Sequence, residues 1–321
     1  MLGKEPVTSP VHLRLSVTDR CNLRCRYCRT DAQTATAPGL SDEAMLRIVR
    51  GMARLVPIRK LRLTGGEPLL RVGLPALVRE LRRLLPNAEL AMTTNGTRLP
   101  AAAATLRAHG LDAVNISLDT TDPAHFARLT RGGRLDAVLA GIDAARRAGF
   151  DRIRLNAVLL RSLRGEQLSG LVHFAASCGC ELRFLELMPI GAGALLYARE
   201  RLGADEALAE LRRAFGHPAE LPSSSNSRRY RFDVDGKSAI VGIIAPVSRP
   251  FCTGCDRLRL DAHGRLYPCL RSPEAWELGS SSDCPSDLQV EIGLRAAMNR
   301  KHAIQAIDRV WPARSMAATG G

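Results

Sequence analysis

Apolar and polar positions alternate with two different periods through the first two thirds of the chain. Short runs typical of β-strands occupy residues 13–18, 60–64, 89–94, 114–118, 153–160 and 181–188. Segments with helical spacing lie between them, at residues 41–55, 74–85, 100–108, 134–148 and 166–177, with Ser41 placed to cap the first. Six repeats of strand and helix predict parallel βα units, arranged as a partial barrel or a doubly wound sheet.

The last third of the chain has a different pattern. A helical stretch at residues 204–215 precedes residues 221–229, whose serine and proline content predicts a loop. Residues 230–234 and 238–244 are typical of two strands joined by a hairpin turn at Asp235-Gly236, and two further short strands are predicted around His263-Gly264. We therefore expect one domain over residues 1–215 and a smaller one over residues 216–321.

Polar and glycine residues gather where the predicted strands end. They comprise residues 65–68 after the second strand, residues 93–95 at the third, Ser117 and Asp119 at the fourth, and Met188 at the sixth. In βα folds the carboxyl ends of parallel strands meet at one rim, where the loops carry the chemistry. The pattern predicts an active site at this rim.

The charge balance points to an anionic ligand. Lys and Arg number 46 against 32 Asp and Glu, a formal net charge of +14, while only 4% of the residues are aromatic. Nucleic-acid interfaces of single strands need aromatic stacking platforms, which are scarce here. The composition therefore favours a phosphate-bearing small molecule over a nucleic acid.

The cysteine content and the apolar runs predict a location. Nine cysteines in 321 residues are too dilute for a disulfide scaffold. The first ten residues lack the apolar core of a signal peptide, and no run reaches the roughly 18 apolar residues of a membrane span. We expect a cytoplasmic protein with reduced thiols and no membrane partner.

Cys21, Cys25 and Cys28 form the spacing CxxxCxxC directly after the first predicted strand. Zinc sites pair their cysteines as CxxC and need four ligands. Three thiolates on one tight loop can instead hold three irons of a cubane iron–sulfur cluster, which leaves the fourth iron open to a ligand.

This motif, with Tyr27 just before the last cysteine, resembles that of the radical S-adenosylmethionine (SAM) superfamily, and Gly65-Gly66-Glu67-Pro68 resembles its SAM amino-group motif. The resemblance implies a partial (β/α)6 TIM-like barrel. It implies a [4Fe–4S] cluster whose electron cleaves SAM to methionine and a 5′-deoxyadenosyl radical. The SAM-binding residues that it implies are Tyr27, Gly65, Gly66, Glu67, Ser117 and Met188.

A second cysteine set, Cys252, Cys255 and Cys269, has the spacing CxxC-x13-C. With Cys284 as a fourth ligand it could be a zinc site; otherwise it is a second iron–sulfur cluster with an open iron. Arg257 and Arg259 follow on one face of a predicted strand, where two guanidiniums can contact phosphate or a purine edge. Cys178 and Cys180 are interpreted as structural thiols.

Together these features resemble the GTP 3′,8-cyclase family of molybdenum cofactor biosynthesis, which also carries a Gly-Gly tail like Gly320-Gly321. The resemblance implies that Cys252, Cys255 and Cys269 bind an auxiliary [4Fe–4S] cluster, and it assigns catalytic roles to Arg257, Arg259, Gly320 and Gly321. The implied GTP contacts are Arg14, Lys60, Arg62, Thr93, Arg154, Arg257 and Arg259. By strand alternation Arg14, Lys60 and Arg62 face inward, where three unpaired cations are costly to bury and a triphosphate would compensate them.

Some positions depart from the family pattern. Arg154 stands where the family has lysine, and the residues after Cys28 are Arg29-Thr30-Asp31 where Met-Pro is usual. Asp256 follows Cys255, where asparagine is also common. These departures leave the cluster motifs intact and allow a substrate-shifted paralogue.

The resemblance also implies partners: GTP, an electron donor such as flavodoxin or ferredoxin, and a downstream pyranopterin synthase that takes the product. We expect a lyase that is a monomer or homodimer and binds no nucleic acid. The alternatives are a radical SAM maturase of a peptide or other substrate and a non-enzymatic basic protein with zinc sites that binds nucleic acid.

Overall fold

The computed structural model describes residues 9–28, 38–224, 226–280, 285–303, 311–312 and 316. Its strands are β1 Val11–Ser16, β2 Ile58–Thr64, β3 Glu89–Thr94, β4 Ala113–Ser117, β5 Arg152–Leu159, β6 Glu181–Glu186, β7 Ala219–Ser224, β8 Ser227–Val234, β9 Lys237–Ile244, β10 Arg257–Leu260, β11 Arg265–Tyr267 and β12 Trp276–Glu277. The strands described form a single sheet in the order β12-β11-β10-β1-β2-β3-β4-β5-β6-β9-β8-β7.

The six predicted strands, β1 to β6, are the parallel centre of this sheet, so the predicted parallel α/β fold is confirmed. The parallel arrangement continues on both sides, because β10 pairs with β1 and β9 pairs with β6. Strands β7, β8, β11 and β12 add antiparallel edges. The last third of the chain thus extends both edges of the barrel sheet, and the division at residues 215 and 216 stays a prediction.

The described helices are α1 Asp42–Leu55, α2 Leu74–Leu84, α3 Leu99–Ala108, α4 Pro123–Thr130, α5 Leu135–Arg147, α6 Glu166–Cys178, α7 Ala192–Glu200, α8 Ala204–Phe215 and α9 Asp287–Ala303. Ser41 caps α1 as predicted, since its Oγ accepts a hydrogen bond of 3.1 Å from the Ala44 amide. The sequence pattern missed α4, α7 and α9. In α9 the exposed Leu288 and Ile292 lie on the side opposite the buried Val290 and Leu294 and obscure the helical period.

The prediction of a loop over residues 221–229 is wrong. Strand β7 covers residues 221–224 and β8 begins at Ser227. β8 alternates inward and outward, with Tyr230 and Phe232 buried. It pairs along its length with β9, whose hairpin turn has positive φ at Asp235 (52°) and Gly236 (75°), as predicted. Serine and proline are tolerated in β7 because it lies at an edge of the sheet.

The two faces of the parallel strands differ in chemistry. Leu13, Leu15, Leu61 and Leu63 point to the helices and are fully buried in the hydrophobic core. Arg14 and its neighbours on the opposite face line the interior of the sheet's curve. Parallel sheets covered on both sides usually bury apolar residues on both faces, so the polar inner face marks the functional side. None of the helices in the described ranges is long and apolar enough to span a membrane.

Two helical glycines test the packing. A Cβ at Gly141 in α5 would lie 2.2 Å from the carbonyl oxygen of Gly96, whereas one at Gly170 in α6 meets nothing nearer than 3.5 Å. Alanine in a helix is worth ~1 kcal/mol over glycine, but the backbone clash outweighs this gain at Gly141. We expect Gly141→Ala to lower the free energy of unfolding and Gly170→Ala to raise it, each by roughly 1 kcal/mol or more. Urea unfolding measures both; equal effects would contradict the packing described.

Candidate active site

The loop that carries Cys21, Cys25 and Cys28 leaves the carboxyl end of β1 and is held by backbone hydrogen bonds. The Gly66 amide donates to Thr18 O at 2.8 Å and the Glu67 amide donates to Arg20 O at 2.7 Å. On the other side, two amides of the loop donate to carbonyls at the end of α4, at 3.2 and 3.0 Å. Protein contacts therefore shape the cysteine loop.

The two glycines of the Gly65-Gly66 turn are required by this loop. Gly65 has φ +151°, and a Cβ there would lie 2.3 Å from Thr18 O; one at Gly66 would lie 2.2 Å from Arg20 O. The close approach that the glycines predict is thus an approach to the cysteine loop's own backbone. Because the amides of Gly66 and Glu67 bind the loop, the turn can offer a ligand carbonyl oxygens rather than these amides.

Glu67 holds the turn from inside. Its carboxylate is completely buried and accepts hydrogen bonds from Thr94 Oγ1 at 2.7 Å, the Asn95 amide at 2.6 Å and the Leu69 amide at 3.1 Å. Burial raises the pKa of Glu67 to about 6, although these hydrogen bonds pull it down. The predicted SAM contact of Glu67 stays a prediction for its backbone, since its side chain ties the end of β2 to β3.

Tyr27 links the cysteine loop to the next strands. Its hydroxyl donates to Asp119 Oδ2 at 2.7 Å, and Asp119 Oδ1 accepts from the Val158 amide at 2.8 Å. Asp119 is buried, and burial raises its pKa to about 6. Tyr27, Ser117 at the end of β4 and Met188 after β6 are all at the rim predicted for the active site.

The inner face of the barrel carries a cluster of cations. Arg14 is the register partner of both Arg62 and Arg259, so three arginines lie side by side on neighbouring strands, and Lys60 and Thr93 occupy the same face. Burial, followed by the charge of Arg154, lowers the pKa of Arg62 to about 10. Such a cluster can bind a multiply charged anion.

Arg183 on β6 belongs to this cluster and was missed from the sequence. It is buried, and its guanidinium donates to Asn115 Oδ1 at 2.5 Å and to Asn156 Oδ1 at 2.9 Å. Burial, followed by the charge of Arg62, lowers the pKa of Arg183 to about 9. Its inward position follows from strand alternation along β6, which was the available signal.

The expectation of three unpaired inward cations requires a correction at Lys60. Its ammonium lies 2.6 Å from Glu89 Oε1, and Arg154 Nε lies 2.9 Å from Glu181 Oε2. The physical reason is that β3 and β6 both begin with a glutamate on the inner face. Carboxylates therefore balance the amino end of the barrel, where Lys60 and Arg154 lie.

Two buried side-chain nitrogens on the inner face have no hydrogen-bond partner in the part of the chain that the structure describes. Within the described ranges, Arg62 Nε and His12 Nε2 are buried without a hydrogen bond. Burial and then the charge of Arg62 lower the pKa of His12, which is neutral at physiological pH. His12 was also missed, although it precedes Arg14 by two residues and shares its face. Orphaned nitrogens among buried cations fit a bound phosphate chain.

The second cysteine set opens into the same space. Cys252, Cys255 and Cys269 line a cavity of about 160 Å³ together with Met188 from the rim and with Arg14, Arg257 and Arg259 from the inner face. The Arg257 guanidinium lies 5.2 Å from the centre of the Phe251 ring. One cavity thus brings together a predicted SAM residue, three of the five predicted GTP arginines and the predicted auxiliary cluster ligands.

The cysteines of both sets are available as ligands, since the eight cysteines in the described ranges are free thiols. Within those ranges, no three His, Cys, Asp or Glu side chains form a site for a single metal ion. Cys284, residues 29–31, Gly320 and Gly321 lie outside the described residues, so their predicted roles stay predictions.

Sequence comparisons connect both parts of the chain to known families. Residues 15–175 match the family model of the radical SAM superfamily, and residues 180–307 match the model named Molybdenum Cofactor Synthesis C. The chain is 39% identical to GTP 3′,8-cyclase of Rhodopirellula baltica, over 96% of this chain and 89% of that protein. It is 40% identical to GTP 3′,8-cyclase of Streptomyces coelicolor, over 96% of this chain and 93% of that protein.

Structural comparison agrees on the fold. Streptococcus suis SuiB bound to S-adenosylmethionine is similar with a TM-score of 0.57 and 15% identity, over 84% of this chain and 63% of that one. SuiB bound to its precursor peptide SuiA is similar with a TM-score of 0.58 and 15% identity, over 81% of this chain and 60% of that one. At this identity the likeness concerns the fold alone.

The buried carboxyl of Asp119 makes a prediction about pH. Its folded pKa of about 6 lies above its ordinary value of 3.8, so its contribution to stability is complete below about pH 4 and is lost as the pH rises through 6. Asp119→Asn removes this titration. We expect the stability of the wild type relative to the variant to fall by about 3 kcal/mol between pH 3 and pH 7. Urea unfolding of the iron-free chain measures this; a constant difference would contradict it.

Proposed function

The chain belongs to the GTP 3′,8-cyclase family of radical SAM enzymes, and we propose that it converts GTP to (8S)-3′,8-cyclo-7,8-dihydroguanosine 5′-triphosphate in molybdenum cofactor biosynthesis. The resemblance predicted from the cysteine motifs is thereby confirmed. Enzymes of this family use SAM and two [4Fe–4S] clusters. The observation that carries the proposal is the cavity lined by Met188, by Arg14, Arg257 and Arg259, and by Cys252, Cys255 and Cys269.

The reaction breaks the C3′–H bond of the ribose and forms a bond from C3′ to C8 of guanine. One electron from the reductant and one proton then complete the dihydro base, so the product has the composition of GTP. When bound, the cluster held by Cys21, Cys25 and Cys28 supplies the electron that cleaves SAM, and the auxiliary cluster supplies an open iron for the base. The chain must therefore hold the ribose near the rim and the base near the second cysteine set. It contributes positioning and the exclusion of water, which account for much of the work in cofactor enzymes.

The triphosphate is proposed to lie among the inner cations, where its charge offsets the cost of burying them. Arg14, Arg62 and Arg259 form the row across β10, β1 and β2. Arg183 is oriented by two asparagines, and Lys60 and Arg154 are oriented by glutamates. Side chains held in this way bind phosphate with little further loss of rotamer freedom.

The base is proposed to lie against Arg257 and Arg259. Arg257 stacks on Phe251 and its Nη1 is 4.0 Å from Cys255 Sγ, so its position is defined on two sides. An arginine fork presented beside the second cysteine set can contact the edge of a purine that would be held at the auxiliary cluster. Thr93 is proposed to contact GTP from β3, and Gly320-Gly321 to help orient the reacting atoms.

The electron donor, the enzyme that takes the product and the location are part of the same proposal. The electron is proposed to come from a flavodoxin or ferredoxin, and the exposed Arg20, Arg24 and Arg26 around the first cysteine loop suit an acidic donor. The product is proposed to pass to a pyranopterin synthase, and the reaction to occur in the cytoplasm, where the thiols stay reduced. A peptide substrate has no support of its own, since the likeness to SuiB concerns the fold alone.

Anaerobic turnover tests the function. The reconstituted protein receives SAM and a reductant with and without GTP, and 5′-deoxyadenosine and cyclic product are measured by mass spectrometry. We expect GTP-dependent 5′-deoxyadenosine and a product of the mass of GTP. Cys25→Ser should abolish SAM cleavage, whereas Cys269→Ser should abolish the cyclic product and leave SAM cleavage. Slow SAM cleavage that ignores GTP and gives no product would contradict the cyclase assignment.

A matched pair on β2 tests the phosphate site. Arg62 faces the cluster, while Arg59 is exposed on the other face and pairs with Asp256 at the surface. Losing one charge-assisted contact to phosphate costs about 2 kcal/mol, so Arg62→Met should raise the KM for GTP about 30-fold. Arg59→Met should leave KM unchanged. Equal KM values in both variants would remove Arg62 from the substrate site.

A further inference from the structure

Lys301, near the end of α9, reaches the second cysteine set from the outside of the sheet. Its side chain is buried, and its ammonium donates to Arg257 O at 2.7 Å, Pro268 O at 3.0 Å and Cys255 Sγ at 3.6 Å. The two carbonyls belong to the segment after Cys255 and to the residue just before Cys269. One ammonium therefore bridges both sides of the loop that carries the cysteines.

No carboxylate shares this charge among the ion pairs of the described residues, in which Lys301 does not occur. An ammonium taken out of water costs several kcal/mol unless an anion or several hydrogen bonds compensate it. Two carbonyls compensate part of that cost. The third contact of the ammonium is to Cys255 Sγ. A cluster ligated by the Cys255 thiolate would place negative charge next to the ammonium.

Other donors surround the same sulfurs. Arg271 Nη2 lies 3.0 Å from Cys252 Sγ, and the Arg271 amide lies 3.4 Å from Cys269 Sγ. Arg257 Nη1 lies 4.0 Å from Cys255 Sγ. Each cysteine of the set thus has at least one N–H donor nearby. Hydrogen bonds and net charge at the sulfurs are the main means by which a protein sets the potential of an iron–sulfur cluster.

We propose that Lys301 is a positioning residue of the auxiliary cluster that fixes its cysteine loop and raises its reduction potential. Reduction adds one negative charge to the cluster, and a fixed buried ammonium next to a ligand sulfur stabilises the reduced form more than the oxidised form. The inference rests on the proposed function, because it takes Cys252, Cys255 and Cys269 as cluster ligands. It adds a residue outside the cysteine motif to the machinery of that cluster.

The test uses the full chain with Cys21, Cys25 and Cys28 replaced by serine, so that the auxiliary cluster is the only spectroscopic signal. Reconstituted protein carrying Lys301→Met, Lys301→Gln or Lys301→Arg is titrated with reductant and followed by EPR, and iron content reports assembly. Lys237→Met, at the exposed start of β9, is the matched control. No GTP is added, so the result does not depend on turnover.

We expect the Met and Gln variants to lower the equilibrium constant for reduction about tenfold, which is ~59 mV for one electron. The Arg variant, which keeps the charge, and the Lys237→Met control should stay near the unsubstituted potential. If Met and Gln fail to assemble the cluster while Arg succeeds, the requirement for the charge in holding the loop is supported directly.

Two results would overturn the inference. One is a fully assembled cluster with unchanged potential in the Met and Gln variants. The other is equal failure of all three variants, which would mean that the shape of lysine and not its charge is needed. If no cluster forms even with Lys301 intact, the assignment of Cys252, Cys255 and Cys269 fails, and with it the proposed function. Failure of the role of Lys301 is therefore distinguishable from failure of the proposed function.

Discussion

Buried positive charge inside the barrel is the constraint on which the rest of this structure depends. Arg62, Arg183 and Arg259 are buried on the inner face, and desolvation followed by repulsion from neighbouring arginines disfavours the charged forms of Arg62 and Arg183. A hydrophobic interior of the same volume would be cheaper to fold. The proposed binding of a triphosphate there would add negative charge and stabilise the folded chain.

The scaffold limits that cost in two ways. Glutamates at the amino ends of β3 and β6 pair with Lys60 and Arg154, and Asn115 and Asn156 hold the guanidinium of Arg183. The opposite face of the same strands is apolar and packs against the helices, which supplies the hydrophobic stabilisation that the inner face lacks. Successive side chains of a strand point to opposite faces, so one strand can supply cations to the inner face and apolar residues to the core.

The rim follows a different principle, in which buried carboxyls and close backbone contacts hold the reactive loops. Glu67 and Asp119 are both buried with a raised pKa, and both join the end of one strand to the next. The cysteine loop of the first cluster is thus positioned by contacts to β2, β4 and α4. Lys301 performs the corresponding task at the second cysteine set with an ammonium, because there the groups to be joined are carbonyls and a thiol.

Sequence alone determined the parallel βα pattern, the rim and both cysteine sets, because periodicity and motif spacing are local properties of the chain. It also located Arg14, Arg62 and Arg259, through strand alternation and family resemblance. It failed for β7, at the sheet edge, and for α9, whose exposed leucine and isoleucine obscure its period. Strand alternation could also have located Arg183 and His12. Only the tertiary structure decided that β10 pairs with β1, that Glu89 neutralises Lys60, and that Lys301 reaches the second cysteine set. Those relations depend on strand register and helix packing between residues distant in sequence, and no local pattern encodes them.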